Sequence, residues 1–94
     1  VGATFPEELG KVREKVGYEM PVLVPGVGAQ GGDLGRVLKE GTDERGWGVL
    51  VNVSRGIMFA FLKEEELDHL SSARKAAEGY VASIRHEMED LGRW

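Results

Sequence analysis

Apolar residues recur along this chain with two different periods, and each change of period marks an element. Leu9, Val12 and Val16 fall at three- and four-residue steps, which predicts a helix with one apolar face. Thr4 stands before it as an N-cap, Glu7 completes a capping box three positions on, and Pro6 suits the first turn. Gly17 is placed to end it. Val22-Leu23-Val24 is apolar at every position, as in a parallel strand covered on both faces. After a glycine-rich loop, Asp33 predicts the cap of a short helix whose inner face is Leu34, Val37 and Leu38, stopped by Gly41. Thr42 to Gly46 reads as a polar loop with Asp43, Glu44 and Arg45 at a solvated tip. Val49 to Val53 is the next buried strand. Leu67, Leu70, Ala73, Ala77, Tyr80, Val81, Ile84, Met88 and Leu91 then trace a long amphipathic helix. Glu64-Glu65-Glu66, at or just before its start, favours the positive end of the helix dipole. Val1 to Ala3 reads as the tail of a strand.

The resulting order, β-α-β-α-β-α, predicts parallel strands joined by right-handed crossovers. Three such strands leave two open edges and an incomplete core. The chain is therefore expected to be a piece of a larger α/β protein or to fold against a partner segment. Its 94 residues, 41% hydrophobic and 30% charged, make at most one ordinary domain. A net charge of −4 argues against general nucleic-acid binding. The absence of cysteine excludes disulfides and thiolate metal sites. No apolar stretch approaches the roughly 20 residues of a membrane span. Val1-Gly2-Ala3-Thr4 carries no basic region of the kind that opens a signal peptide, so a cytoplasmic protein is expected.

The chemistry concentrates at two strand ends. Val24-Pro25-Gly26-Val27-Gly28-Ala29-Gln30-Gly31-Gly32-Asp33 leaves the first, and Asn52-Val53-Ser54-Arg55-Gly56 leaves the second. Glycines let backbone N–H groups approach an anion, a helix start offers unpaired donors, and arginine supplies a fixed fork of charge. This combination suits a phosphate. Gly26-x-Gly28-x-x-Gly31 also matches the dinucleotide fingerprint, which wants an acidic residue roughly 20 positions on for the ribose. Asn52 and Ser54 stand there instead, with Arg55 beside them, so only a 2′-phosphate cofactor would suit that alternative. A purely structural glycine turn is a further reading. His69 and His86 read as solvated helix residues. Asn52-Val53-Ser54 is a formal glycosylation sequon, set aside because it lies in a buried strand. Trp47 reads as a packing residue and Trp94 as a frayed end.

Val1-Gly2-Ala3-Thr4 with Pro6-Glu7-Glu8-Leu9, the Pro25-to-Asp33 string, and Asn52-Val53-Ser54-Arg55-Gly56-Ile57 together resemble orotidine 5′-phosphate decarboxylase, in its longer bacterial subfamily. The resemblance covers essentially the whole chain. It implies that residues 1–94 are the C-terminal, phosphate-binding portion of a (β/α)8 TIM barrel, its last three βα units. Such barrels place their active sites at the C-terminal ends of the strands, and the last two loops commonly hold phosphate. By the same resemblance, Gln30 bridges the phosphate and the pyrimidine ring, and Arg55 pairs with the phosphate. Backbone N–H groups near Ser54, Gly31 and Gly32 assist, while Pro25 and Val27 line the side of the base. The family's Asp-x-Lys-x-x-x-Asp catalytic array does not occur in these 94 residues. The implied activity is conversion of orotidine 5′-monophosphate to uridine 5′-monophosphate and carbon dioxide, through a lysine-stabilised carbanion and without metal or organic cofactor. The implied partners are that substrate, the remainder of the barrel and a second copy of the subunit. A non-catalytic phosphate- or nucleotide-binding module, or another phosphosugar barrel, is the alternative.

Overall fold

The computed structural model describes residues 2–27, 33–63 and 68–94. Helix α1 (Pro6–Val16) leads to strand β1 (Val22–Val24), helix α2 (Leu34–Gly41) and strand β2 (Val49–Val51). A four-residue helix α3 (Arg55–Met58), a 3-10 turn (Ala60–Leu62) and the long helix α4 (His69–Asp90) complete it. β1 and β2 pair in parallel with Val22 opposite Val49 and Val24 opposite Val51. The crossover between them is α2, the arrangement that the alternation of periods predicts.

Of the three predicted strands, two form a sheet among the described residues. Ala3 donates its N–H to the Pro25 carbonyl at 2.9 Å, and its own carbonyl accepts from Asp33 N–H. That pins a single residue beside the end of β1. The chain then turns, with Phe5 N–H bonded to the Gly2 carbonyl, and among the described residues no ladder extends from Ala3. Val1 lies outside the described residues.

Alternate residues of the two strands face opposite sides. Val22, Val24, Val49 and Val51 point toward α1 and α2, where Ala3, Leu9, Val24, Val27 and Val37 form the buried core. Leu23 and Leu50, paired across the register, are 57% and 61% exposed on the other face. The expected cover on both faces is thus present on one.

Helix α1 begins one residue later than Thr4 predicts. Phe5 is its N-cap and makes no side-chain cap bond, because Pro6, with its fixed φ and missing N–H, starts the helix instead. Gly17 ends it at φ 75°. Its buried stripe is Pro6, Leu9 and Arg13, with Val16 exposed. Arg13 is 2% exposed. Its guanidinium donates to the carbonyls of Gly41 (2.9 Å), Gly17 (3.0 Å), Met20 (2.6 Å) and Gly48 (2.8 Å). Tyr18 lies against the same group, 5.1 Å from ring centre to guanidinium carbon. A buried cation is thus satisfied entirely by backbone oxygens, which ties α1 to the ends of α2 and the approach to β2.

Asp33 caps α2 as predicted, accepting Arg36 N–H at 3.1 Å. Gly41 is the last residue of α2, and its role is steric. A Cβ there would stand 2.5 Å from Val49 Cγ2 and 2.8 Å from Leu9 Cδ2, where helix, strand and α1 meet. Arg93, near the chain's end, donates to the carbonyls of Lys39 (2.9 Å) and Thr42 (3.2 Å) and so covers the open end of α2.

The predicted loop tip is more ordered than its polarity suggests. The Asp43 carboxylate accepts Arg45 N–H at 2.9 Å, Trp47 N–H at 3.0 Å and the Arg45 guanidinium at 2.8 Å. The Trp47 amide first, and then the Arg45 guanidinium, hold the Asp43 carboxyl below its ordinary range. A depressed carboxyl adds stability above the unfolded value, about pH 4, and loses it as pH falls through the folded value. The stability gap between the parent and Asp43→Asn should therefore be open above about pH 4 and close on acidification. Urea unfolding from pH 6 to pH 2 measures it, and a gap that persists at pH 2 contradicts this account.

The long helix also departs from its predicted stripe. Asp68 is its N-cap, accepting Ser71 N–H at 2.6 Å, and Glu64, Glu65, Glu66 and Leu67 lie outside the described residues. Leu70 is 83% exposed and Val81 also faces solvent. The other described members of the predicted stripe, Ala73, Ala77, Tyr80, Ile84, Met88 and Leu91, are buried or partly buried, and Ser72 and Ala76 join them on the packed face. Its small first members let α3 and the 3-10 turn lie close against it. Among the described residues, no helix is long and apolar enough to cross a membrane.

Candidate phosphate site at the strand ends

Parallel pairing sends the chain out of β1 and β2 at the same edge of the sheet. Asn52 N–H extends the ladder one step further, bonding to the Val24 carbonyl at 3.0 Å. Pro25 and Asn52 therefore leave the sheet side by side, and both candidate loops start from one edge. Gly26 follows Pro25 at φ 87°, a left-handed conformation that a glycine adopts without strain.

Pro25 is exposed at this edge, its carbonyl held by Ala3. Val27 is 5% exposed and belongs to the core beneath the loop. Gln30, Gly31 and Gly32 lie outside the described residues. On the second strand, Asn52 Nδ2 donates to Ser54 Oγ at 3.3 Å. Ser54 is the N-cap of α3, and its carbonyl accepts Ile57 N–H and Met58 N–H at 3.2 and 2.8 Å. Arg55 opens α3 with its side chain exposed, and its guanidinium has no ion-pair or hydrogen-bond partner among the described residues. The two arginines nearest in burial contrast, Arg13 and Arg55, thus differ in kind: one is saturated by carbonyls and the other is open to a ligand.

The helix α3 and the 3-10 turn carry no apolar period long enough to read from sequence, and both are additions to the predicted elements. They form one wall of a cleft of about 590 Å³, with α4 as the other. Arg55, Phe59, Leu62, Ser72, Lys75 and Tyr80 line it. Ser72 is buried there, and its Oγ has no hydrogen-bond partner among the described residues. His69 stacks on Phe61 with ring centres 3.9 Å apart, and His86 lies 3.4 Å from Asp90 on the exposed side of α4. Among the described residues, no three His, Cys, Asp or Glu side chains gather as a metal site would require. Trp94 is exposed, with the Arg85 guanidinium 4.8 Å from its ring centre. Trp47 is half open to solvent at the Asp43 loop.

No family model matches the chain. Among curated proteins, it is 46% identical over 84 residues to the orotidine 5′-phosphate decarboxylase of Bordetella pertussis, covering 89% of this chain and 30% of that protein. It is 49% identical over 77 residues to the same enzyme of Ralstonia pickettii, covering 82% of this chain and 27% of that protein. Among solved structures, a Toxoplasma gondii protein assigned as an orotidine-monophosphate decarboxylase superposes with a TM-score of 0.76 at 35% identity. That match takes in 100% of this chain and 29% of the other. The chain thus spans about 30% of the length of the curated relatives it matches. These decarboxylases are TIM barrels, and the β1–β2 pair with its helices corresponds to part of such a barrel wall. Sequence and fold agree that this chain is homologous to orotidine 5′-phosphate decarboxylases along a portion of their length.

Proposed function

We propose that this chain supplies the phosphate-binding loops of an orotidine 5′-phosphate decarboxylase, as the C-terminal segment of a single (β/α)8 domain. The observation that carries this reading is the shared edge. β1 and β2 run in parallel, so the glycine loop and Arg55 leave from the same side of the sheet. Arg55 pairs with the substrate phosphate, assisted by first-turn N–H groups of α3 at Ser54 and Arg55. Gln30 spans from the phosphate to the pyrimidine, Gly31 and Gly32 offer backbone donors, and Pro25, with Val27 beneath it, bounds the base side. The exposed Leu23 and Leu50 face the barrel interior, where side chains from the remaining strands fill the space. The same reading includes pairing of two copies across the barrel mouth, near the exposed Met58, Phe59 and Leu62.

In this scheme the segment takes no part in bond breaking. The lysine and aspartates that act on the leaving carboxylate belong to a string these 94 residues do not contain. The phosphate loops contribute by binding far from the reacting carbon, which holds the closed, reactive geometry and so raises turnover as well as affinity. The purified 94-residue chain is expected to release no carbon dioxide from orotidine 5′-monophosphate. Activity is expected when it is joined to the preceding barrel units of a homologous decarboxylase. Turnover by the isolated chain would refute the division of labour, and an inert complete barrel would refute the activity.

A further inference from the structure

Helix α3 has only four residues, and its N-cap Ser54 makes no side-chain cap bond. Little within α3 itself therefore fixes where Arg55 stands. We propose that Tyr80 and Gly56 form a buttress that positions Arg55, an inference that rests on the phosphate role of that arginine. Gly56 follows Arg55 directly and is not in a left-handed conformation, so backbone freedom does not explain it. Space does. A Cβ on Gly56 would overlap Tyr80 Oη, and would come within 3.2 Å of Tyr80 Cζ and 3.1 Å of Val53 Cγ1. The phenol of α4 thus lies directly on the α3 backbone.

Tyr80 is suited to transmit position. It is half-buried and packs against the core cluster that also holds Val24 and Val37. The side chain thus packs on the core cluster while its hydroxyl end touches the turn bearing Arg55. Ser72 and Ala76 precede it at four-residue steps on the same face of α4, and they leave room for the 3-10 turn to approach. The outer side of α3 is open to solvent at Arg55, Met58 and Phe59, so α3 has room to swing outward if pushed. Tyr80 and Gly56 are positioning residues in this account; of the three, only Arg55 touches the ligand.

The test uses the complete decarboxylase carrying this segment. Gly56→Ala should lower kcat/KM for orotidine 5′-monophosphate about tenfold or more, because a misplacement near 1 Å can cost about 100-fold. Inhibition by uridine 5′-monophosphate should weaken in the same proportion, while inhibition by uridine, which lacks the phosphate, stays unchanged. Tyr80→Phe removes the overlapping oxygen and should restore most of the loss when combined with Gly56→Ala. Tyr80→Leu, which withdraws the buttress without crowding, should show the same phosphate-selective defect and serves if Gly56→Ala does not fold. Equal losses for both inhibitors, activity within twofold of the parent, or no recovery in the double variant would overturn the proposal. Arg55→Ala separates the two levels. If it leaves the preference for the phosphorylated inhibitor intact, the phosphate reading itself fails, and the buttress with it. If it abolishes that preference and Gly56→Ala does not, only the buttress fails.

Discussion

Arg55→Ala in the complete decarboxylase is expected to lower kcat/KM for orotidine 5′-monophosphate by about 10- to 100-fold, from the loss of one charge-assisted contact worth about 1.5–3 kcal/mol. The guanidinium stands exposed at the first residue of α3, next to the edge where both strands end, and nothing among the described residues neutralises it. Removing it leaves the fold's own contacts untouched, so the loss should appear in catalysis and not in unfolding. Lysine is expected to restore only part of the activity, since an ammonium cannot present two parallel donors to one phosphate. Steady-state kinetics of the two variants beside their urea midpoints provide the measurement. An alanine variant within about threefold of the parent would remove Arg55 from the phosphate role, because even the lower bound of the contact exceeds that.

Arg13→Ala is expected to have the opposite signature: a large loss of stability, about 3–5 kcal/mol, with catalysis per folded molecule little changed. Four carbonyls would lose their donor at once inside the protein, and the space left by the side chain would have no occupant. Such a loss is comparable to the whole stability of many domains. Arg13→Lys should recover little. The four oxygens belong to separate segments, the farthest 35 residues from Arg13 in sequence, and a compact ammonium cannot reach all of them from one point. Equilibrium urea unfolding measures the effect. A loss below about 1 kcal/mol would show that water replaces the guanidinium without difficulty.

The contrast between these arginines shows what sequence patterning can convey. The exposed place of Arg55 just beyond β2 is legible because it stands where an all-apolar strand gives way to a loop, while its ligand role is the proposal tested above. Asp33 was legible because an acceptor side chain directly before an apolar period meets the unpaired N–H groups of a helix start. The strands were legible because Val-Leu-Val occurs twice between loop residues. Arg13 was not legible. A charged residue within a helical stripe reads as solvated, and only the meeting of Gly17, Met20, Gly41 and Gly48 around it shows otherwise. Val16 fits the apolar period yet stands exposed at the helix end, and Pro6 sets the start of α1 in place of a Thr4 cap. Hydrophobic period finds most of the α4 face, Tyr80, Ile84 and Met88 included, but it also takes in the exposed Leu70 and Val81 and misses Ser72 and Ala76, whose small size admits a close neighbour. Gly41 reads as a helix stop in the sequence and Gly56 as one residue of a strand-end loop. Their neighbours across space, Leu9 with Val49 and Tyr80, reveal them as points of closest approach. The likeness to decarboxylases rests on whole strings of residues, and it survives these local errors because aligned identity does not depend on which face each residue adopts.

Leu23 and Leu50 carry one more consequence. Side by side on the open face of the strand pair, they expose apolar surface of the kind that invites association when left unshielded. The very pair that would reward closure of a barrel would make the separate polypeptide difficult to keep in solution. Handling it in isolation is thus a colloidal problem before it is an enzymological one.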